Sequence, residues 1–374
     1  MHSPLIQGAS FITTYSDHID SWSHKISVFG GYDTATFTIT SDMNTAEDWL
    51  QSGIGRHIVC HDHSLSTIWE GFVNKVSVNT GNLSVTRGEL MNVANRVHII
   101  YSTIDPTNNT VIGTRAKTTA TNDTTSQALY GILQKVLSVG GAVPADAAKI
   151  QATYLKENAN PETSRSLNLG SEGGQSGVTI TIDCLGYYHW LKTYVYNQTV
   201  TTGTINASAK IIAIIAAQLN SIISSTTDIT SNTVQVPAFE NDDYIAHNIL
   251  QDVVNRGDSS DNRWLFGVYQ DRKAYYNVMP TNIEYILHLM DSAQKMESNI
   301  GAEIYPWNIL PGKWLMFPDF LVGRTAETNP RLDPRCMFIE DVTYTMPWGL
   351  QLNGGKTTTL MQKLAKLGLA GVGA

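Results

Sequence analysis

One short run constrains this chain more than any other feature. In Ala35-Thr-Phe-Thr-Ile-Thr40 apolar side chains alternate with threonine. A period of two puts one residue set on each face of a strand, so the run predicts a half-buried β-strand. Val178 to Cys184 is a β-branched run and predicts a buried strand. Composition extends this reading to the whole chain. Only 16% of the 374 residues are charged, against about 25% for an average soluble domain, and 40 threonines stand in for the missing charge. Threonine favours pleated, half-exposed strands. The net charge of −8 argues against a protein that grips DNA or an anionic membrane by bulk charge. The longest apolar stretch, Ile211 to Leu219, is about half the length a membrane span needs. The stretch MHSPLIQGASF lacks the basic-then-apolar layout of a signal peptide. Three scattered cysteines, Cys60, Cys184 and Cys336, predict no disulfide framework and fit synthesis in a reducing cytosol.

Along the chain, Lys25 to Phe29 and Ala35 to Ile39 are expected to flank a turn at Gly30-Gly31-Tyr32-Asp33. Asn44-Thr-Ala-Glu47 predicts a helix start with Glu47 at the capping-box position, and Gly53 predicts its end. Strands follow at His57 to His61, Thr67 to Val78 and Leu83 to Thr86, with hairpin chemistry at Asn79 to Asn82. Ala128, Leu129, Ile132, Leu133, Val136 and Leu137 form the stripe of an amphipathic helix. Ser164 to Gly177 has the composition of a flexible loop. Ser208 to Ile223 predicts a helix buried on several sides. Asp242-Asp243 is expected to open another helix, with Arg256-Gly257 as its end. Trp264 to Tyr269 and Ala274 to Met279 predict a hairpin. Strands resume at Lys313 to Phe317, Cys336 to Met346 and Leu350 to Leu352, and Thr358 to Leu369 predicts a short helix striped by Leu360, Leu364 and Leu367. Trp69 to Gly88 can also be laid against Phe338 to Gly355, with Val76 on Val342, Leu83 on Leu350 and Val85 on Leu352, as a duplication of one hairpin would require.

Three constellations could carry chemistry. His57, His61 and His63 would share one strand face, with Cys60 on the other, and three imidazoles can hold zinc with an open position. The alternative is the polar face of an edge strand. Asp183-Cys184-Leu-Gly-Tyr187 resembles the Asp-Cys-Ser-Gly-Phe motif of the papain-like cysteine peptidases that cut cell-wall peptides. That resemblance implies Cys184 as nucleophile and His247 as base. The run before Cys184 and the helical pattern around His247 favour a buried structural thiol instead. Arg256-Gly257-Asp258 reads as a helix end, Asp242-Asp243 as helix-capping carboxylates, and Glu340-Asp341 as carboxylates facing opposite ways across a strand. No phosphate-binding loop, dinucleotide fingerprint or serine elbow occurs. The sequence therefore predicts no enzyme, no cofactor, no metal and no catalytic residue.

Four blocks, taken in order, resemble the hub or minor tail proteins at the distal end of bacteriophage tail tubes. They are Thr67-Ile-Trp-Glu-Gly-Phe-Val-Asn-Lys-Val76, Val178 to Leu191, Asp261 to Tyr276, and Asp333 to Tyr344. The resemblance implies a mainly β fold with α insertions, in which tube-type β-barrel domains assemble into a ring. On that basis residues 1–100 form a first barrel, 101–177 an insertion with one helix and flexible loops, 178–309 an α+β middle region, 310–356 strands of a second barrel, and 357–374 a C-terminal helix. The implied partners are further copies of the chain (a trimer, or a hexamer), the tail tube or distal tail ring, a spike or fibre protein and the tape measure, with the virion tail tip as location. DNA would pass through the channel unbound, repelled by several copies of a chain of net charge −8. A distal tail ring protein is the alternative within the same tail.

Overall fold

The computed structural model describes residues 19–62, 64–167, 177–196, 202–218, 222–238, 243–289, 294–316, 336–346 and 349–354. The predicted C-terminal helix, His63, Asp242 and residues 333–335 lie outside the described residues.

β1 (Ile19–Ser27) and β2 (Phe29–Ser41) pair antiparallel. Ala35, Phe37 and Ile39 are buried while the threonines between them face outward, as the alternation requires. The turn, however, lies at Val28. Gly30 and Gly31 sit inside β2 with φ of 120° and 79°; the missing side chain of Gly30 makes room for the Tyr188 ring, and that of Gly31 lets a later strand close against it at Val268. α1 (Met43–Ser52) is capped by Asp42, whose carboxylate accepts from Thr45 N–H at 2.8 Å. The cap thus falls before the expected Asn44, because Asp42 reaches the third helical amide directly. Gly53 ends the helix as expected. β3 (His57–His61), β4 (Thr67–Asn79) and β5 (Leu83–Gly88) follow, antiparallel in turn.

Residues 96–158 form a unit of their own. β6 (Arg96–Ile104) is central: β7 (Val111–Lys117) and β8 (Thr121–Asn122) pair antiparallel to it, and β9 (Gln134–Ala142) pairs parallel. α2 (Thr124–Tyr130) and α3 (Pro144–Asn158) complete the unit. The expected helix over Ala128 to Leu137 is broken. Gly131 adopts φ 76° and stops α2, and Val136 and Leu137 then lie on β9, opposite His98 and Ile99. Sequence spacing of three and four residues could not distinguish a helix stripe from a helix followed by a strand.

β10 (Thr163–Leu167) pairs with β5, so the first part of the expected loop is a strand. β11 (Val178–Leu185) lies between β2 and β4 as the buried strand its sequence predicts. A 3-10 turn spans Tyr187–Lys192. Next come β12 (Val195–Tyr196), β13 (Thr204–Asn206), α4 (Ala207–Gln218), β14 (Ser225–Ile229), β15 (Gln235–Pro237), β16 (Tyr244–Ile245) and α5 (Ala246–Asn255). α4 buries Ala207, Ile211, Ile214 and Ile215. α5 begins after Asp243 rather than with it, since Asp243 has φ 76° and Ile245 is the cap. β17 (Trp264–Tyr269) and β18 (Lys273–Val278) form the predicted hairpin. β19 (Ile283–Leu289), β20 (Gln294–Ser298), β21 (Trp314–Met316), β22 (Cys336–Thr345) and β23 (Gly349–Gly354) complete the fold.

Fifteen of these strands make one sheet along the path β10-β5-β4-β11-β2-β1-β22-β21-β19-β20, with β3, β14, β17, β18 and β23 attached. The fold is mainly β with helices. Among the described residues the path is open and closes into no barrel, contrary to the tube-type barrels expected. The two terminal regions share this sheet because β1 pairs directly with β22, from Ser23 opposite Thr345 to Ser27 opposite Asp341. One apolar core joins β1, β2, β4 and β11 to α1, α4, α5 and the 3-10 turn. A second lies under β19 to β22, around Tyr285, Leu315, Ile339 and Val342.

Candidate functional site

A polar grouping lies where β3, β4, the 3-10 turn and the β17–β18 tip meet. β4 is buried on both faces from Trp69 to Asn74. Gly71 is required there: a Cβ would stand 2.3 Å from the Leu185 carbonyl oxygen and 2.4 Å from the Trp69 ring. Glu70, between them, points away from Trp69 and is 5% exposed. One carboxylate oxygen lies 3.6 Å from His57 Nε2, and the other accepts from the Arg272 backbone N–H at 3.4 Å. His57 Nδ1 is 2.5 Å from the Tyr187 hydroxyl, and the Arg272 guanidinium lies over the Tyr187 ring at 5.6 Å. Asp271 and Arg272 both have left-handed φ, 58° and 57°. Burial pushes the Glu70 carboxyl up to about 7, against weaker lowering by hydrogen bonds from the tip. Burial, then the Arg272 charge, pushes the His57 imidazole down to about 4. Both shifts favour a carboxylic acid beside a neutral imidazole over the ion pair that their separation alone would suggest.

The predicted histidine face is real in part. His57 and His61 are on the exposed side of β3, while Ile58 and Cys60 pack on the core. The two imidazoles do not converge: His57 turns to Tyr187, and His61 Nδ1 is 3.5 Å from Thr67 Oγ1. Among the described residues no three His, Cys, Asp or Glu side chains are placed to hold a metal ion. Burial pushes the Cys60 thiol up to about 12.

Cys184 and His247 are not brought together. Cys184 lies inside β11 and is 1% exposed, and burial holds its thiol well above its ordinary range. His247 lies on α5, where Nδ1 meets the Tyr188 hydroxyl and the ring packs edge-on to Phe29 at 5.8 Å. Beside it runs a charged chain. Lys25 bridges Asp33 and Asp341 at 3.5 Å each, His189 Nε2 donates to Asp33 at 2.8 Å, and Lys192 donates to His189 at 3.3 Å. This chain ties β1, β2 and β22 to the 3-10 turn. Arg256 pairs with Asp252, and Asp258 accepts from Asn262 and Trp264, so the Arg-Gly-Asp tripeptide is spent on its own helix end. Glu340 pairs with Arg263 while Asp341 pairs with Lys25, on opposite sides as expected.

A further cluster escaped sequence reasoning. The Asp243 side chain, 4% exposed, meets His98 Nε2 at 2.7 Å, Arg115 at 3.3 Å and Lys117. His98 also accepts from Gln134 at 3.4 Å. Burial alone would raise the Asp243 carboxyl, but hydrogen bonds and charge from Lys117 and His98 outweigh it and hold the group low. This cluster fastens the 96–158 unit to the start of α5. Asp243 lies 126 to 145 residues along the chain from Lys117, Arg115 and His98, so no local spacing announces the cluster. Glu70 stood inside a recognised block, yet only the burial of both β4 faces marks it as more than a surface acid.

No protein-family profile matches the chain, and no curated protein matches it. Among solved structures it is similar to a 43 kDa tail protein of prophage MuSo2 from Shewanella oneidensis, with 6% identity and a TM-score of 0.34, covering 91% of this chain and 94% of that one. It is also similar to the E. coli c3393 protein, with 8% identity and a TM-score of 0.32, covering 90% and 72% respectively. That protein is described as a component of the type VI secretion system with structural similarity to the T4 bacteriophage tail proteins gp27 and gp5. No described helix is long and apolar enough to cross a membrane.

Proposed function

We propose that this chain is a structural protein of a bacteriophage-type tail, a hub that closes or extends the tail tube, joins it to the tail-tip spike or fibres, and leaves a channel for DNA. One observation carries the reading. The four sequence blocks that resemble tail hub proteins are scattered from Thr67 to Tyr344, yet their strands converge in one sheet. β4 pairs with β11, β11 with β2, β17 with β2, and β22 reaches β2 through β1. Blocks that meet in space act as one scaffold. β10 ends the sheet path, and strand ends of this kind suit pairing with a neighbouring subunit. A ring would close the open sheet between copies, and a trimer would present two β regions per chain to a six-fold tube. The role is non-catalytic: a thiol as buried as Cys184, with no imidazole hydrogen-bonded to it among the described residues, is a packing element.

The test is electron cryomicroscopy of the assembled protein, together with a truncation. Three-fold rings with two β regions per chain are expected. Removing residues 357–374 should impair ring assembly more than folding, since the helix that the sequence predicts there, of about three turns, is too short to be stable undocked. Six-fold rings with one β region per chain would favour a distal tail ring instead. Monomers at all concentrations, or normal assembly of the truncated chain, would sink the proposed architecture.

A further inference from the structure

Tyr187, His57 and Glu70 form a chain of one hydrogen bond and one close electrostatic contact, and it can run in two directions. His57 Nδ1 is 2.5 Å from the Tyr187 hydroxyl, which can donate or accept. His57 Nε2 faces the Glu70 carboxyl at 3.6 Å. That distance is longer than a hydrogen bond but well within electrostatic reach in a buried setting. We propose that Glu70 is a proton-operated switch that sets the tautomer of His57 and thereby the direction of the whole relay.

The proton count is simple. With Glu70 protonated, the favourable arrangement turns the carboxyl O–H toward a lone pair on Nε2, and Nδ1–H donates to the Tyr187 oxygen. With Glu70 ionised, the carboxylate draws an N–H toward itself. His57 then carries its proton on Nε2, and the Tyr187 hydroxyl donates to Nδ1. Glu70 releases one proton to water. His57 holds one proton before and after, exchanged through solvent on its half-exposed side. The imidazole is never the group that changes charge, in keeping with burial and the nearby Arg272, both of which disfavour imidazolium.

The groups around Glu70 come from every element packed on it. They are Tyr32 on β2, His57 on β3, Tyr187 on the 3-10 turn, and Asp271 and Arg272 at the β17–β18 tip. The tip bears directly on the switch. Arg272 donates its backbone N–H to Glu70, lies over Tyr187 and holds a left-handed backbone next to a second left-handed residue. Backbone strain of this kind persists only where neighbours hold it in place. Ionisation of Glu70 strengthens its acceptance from the tip amide, so the relay direction and the grip on the tip change together.

Nitrogen NMR of the His57 ring in the intact protein tests this between pH 5 and 9. The expected result is a neutral ring throughout. Its protonated nitrogen should change from Nδ1 to Nε2 with a midpoint near 7, and the Arg272 amide shift should follow the same curve. Glu70→Gln should hold one tautomer across the range. Tyr187→Phe should leave the Glu70 midpoint in place but weaken the preference for Nδ1–H at low pH. Should His57 instead become doubly protonated with a midpoint near 6.5, or keep one tautomer in the wild-type chain from pH 5 to 9, the switch does not exist. Because the wild-type titration decides the matter, failure of a variant to fold leaves the test intact.

Discussion

Replacing Gly31 should do much damage for a single added carbon. It has φ 79° and pairs with Val268 where β17 runs parallel to β2. A methyl group at Gly31 would lie 2.4 Å from the Val268 carbonyl oxygen and 2.7 Å from its nitrogen. Both contacts are backbone, so no side chain can rotate away. Gly31→Ala therefore carries two costs. A left-handed backbone costs an ordinary residue about 1–2 kcal/mol. Relieving the contact moves β17 off β2, and each ladder hydrogen bond lost costs about 1 kcal/mol. Together these give about 3–5 kcal/mol, near the top of the range for single substitutions. Two controls separate the contributions. Gly203 has φ 114° but nothing within 4 Å of where a methyl group would stand, so Gly203→Ala should show only the conformational cost. Gly140 has open space and no positive φ, so Gly140→Ala should change stability by about 0.5 kcal/mol at most. Urea denaturation followed by tryptophan fluorescence, with hydrogen exchange at the amides of Phe266 to Val268, reads all three. If Gly31→Ala loses no more stability than Gly203→Ala, and exchange in β17 is unchanged, the tight β2–β17 junction is wrong.

His24 is buried, accepts a hydrogen bond from Trp22 Nε1 at 2.9 Å, and is pushed by burial from 6.5 down to about 4. The folded state thus excludes its proton: the stability is present above pH 6.5 and is lost as pH falls toward 4, by about 3 kcal/mol in all. The difference between wild-type and His24→Gln melting curves across pH 4 to 7.5 should show that loss, and parallel curves would count against it. Asp243→Asn should speed hydrogen exchange in β6 and β7 and destabilise the 96–158 unit by about 1–3 kcal/mol, discounted because Arg115 and Lys117 are partly exposed. Unchanged exchange would mean that the cluster holds nothing. Cys184 should resist iodoacetamide at pH 7.5 in the native protein and react in urea; equal rates in both would contradict its buried, high-pKa thiol.

How far the fold is legible depends on how local its signals are. β2, β11 and the β17–β18 hairpin are readable because a half-buried or doubly buried strand writes its burial into successive residues. β9 is disguised because apolar residues on either side of Gly131 happen to continue a helical spacing, and a single left-handed glycine ends it. β19 and β20 carry no clear pattern: Ile283 to Leu289 mixes Glu284 and His288 with apolar residues, and Glu284 and His288 find Lys313 and Glu297 only in other segments. The polar clusters are the least legible of all. Glu70 and Asp243 look like ordinary surface acids until the sheet brings His57, Tyr187, His98 and Lys117 to them. Burial of a charge is decided by distant segments, and no window of sequence contains it.

The two similar hairpins show the same limit from the other side. Aligned by sequence, Val76 falls on Val342 and Val85 on Leu352. In the fold Val342 lies opposite Leu352, whereas Val85 lies opposite Val78 and Val76 opposite Arg87. The true structural match is therefore Val78 with Val342, a slip of two residues along the first strand. Nine residues then separate Val342 from Leu352 and six separate Val78 from Val85, although the chain beyond the last paired residues is no longer in the second hairpin, 346–348 against 80–83. A slip of two keeps every side chain on its original face. Alternation can align two hairpins in any even register with equal success, and it is the turn, not the strands, that fixes which register is real. The likeness of these segments thus follows from a shared requirement, one face against a core and a glycine at the end, and it requires no common ancestor for the two ends of the chain.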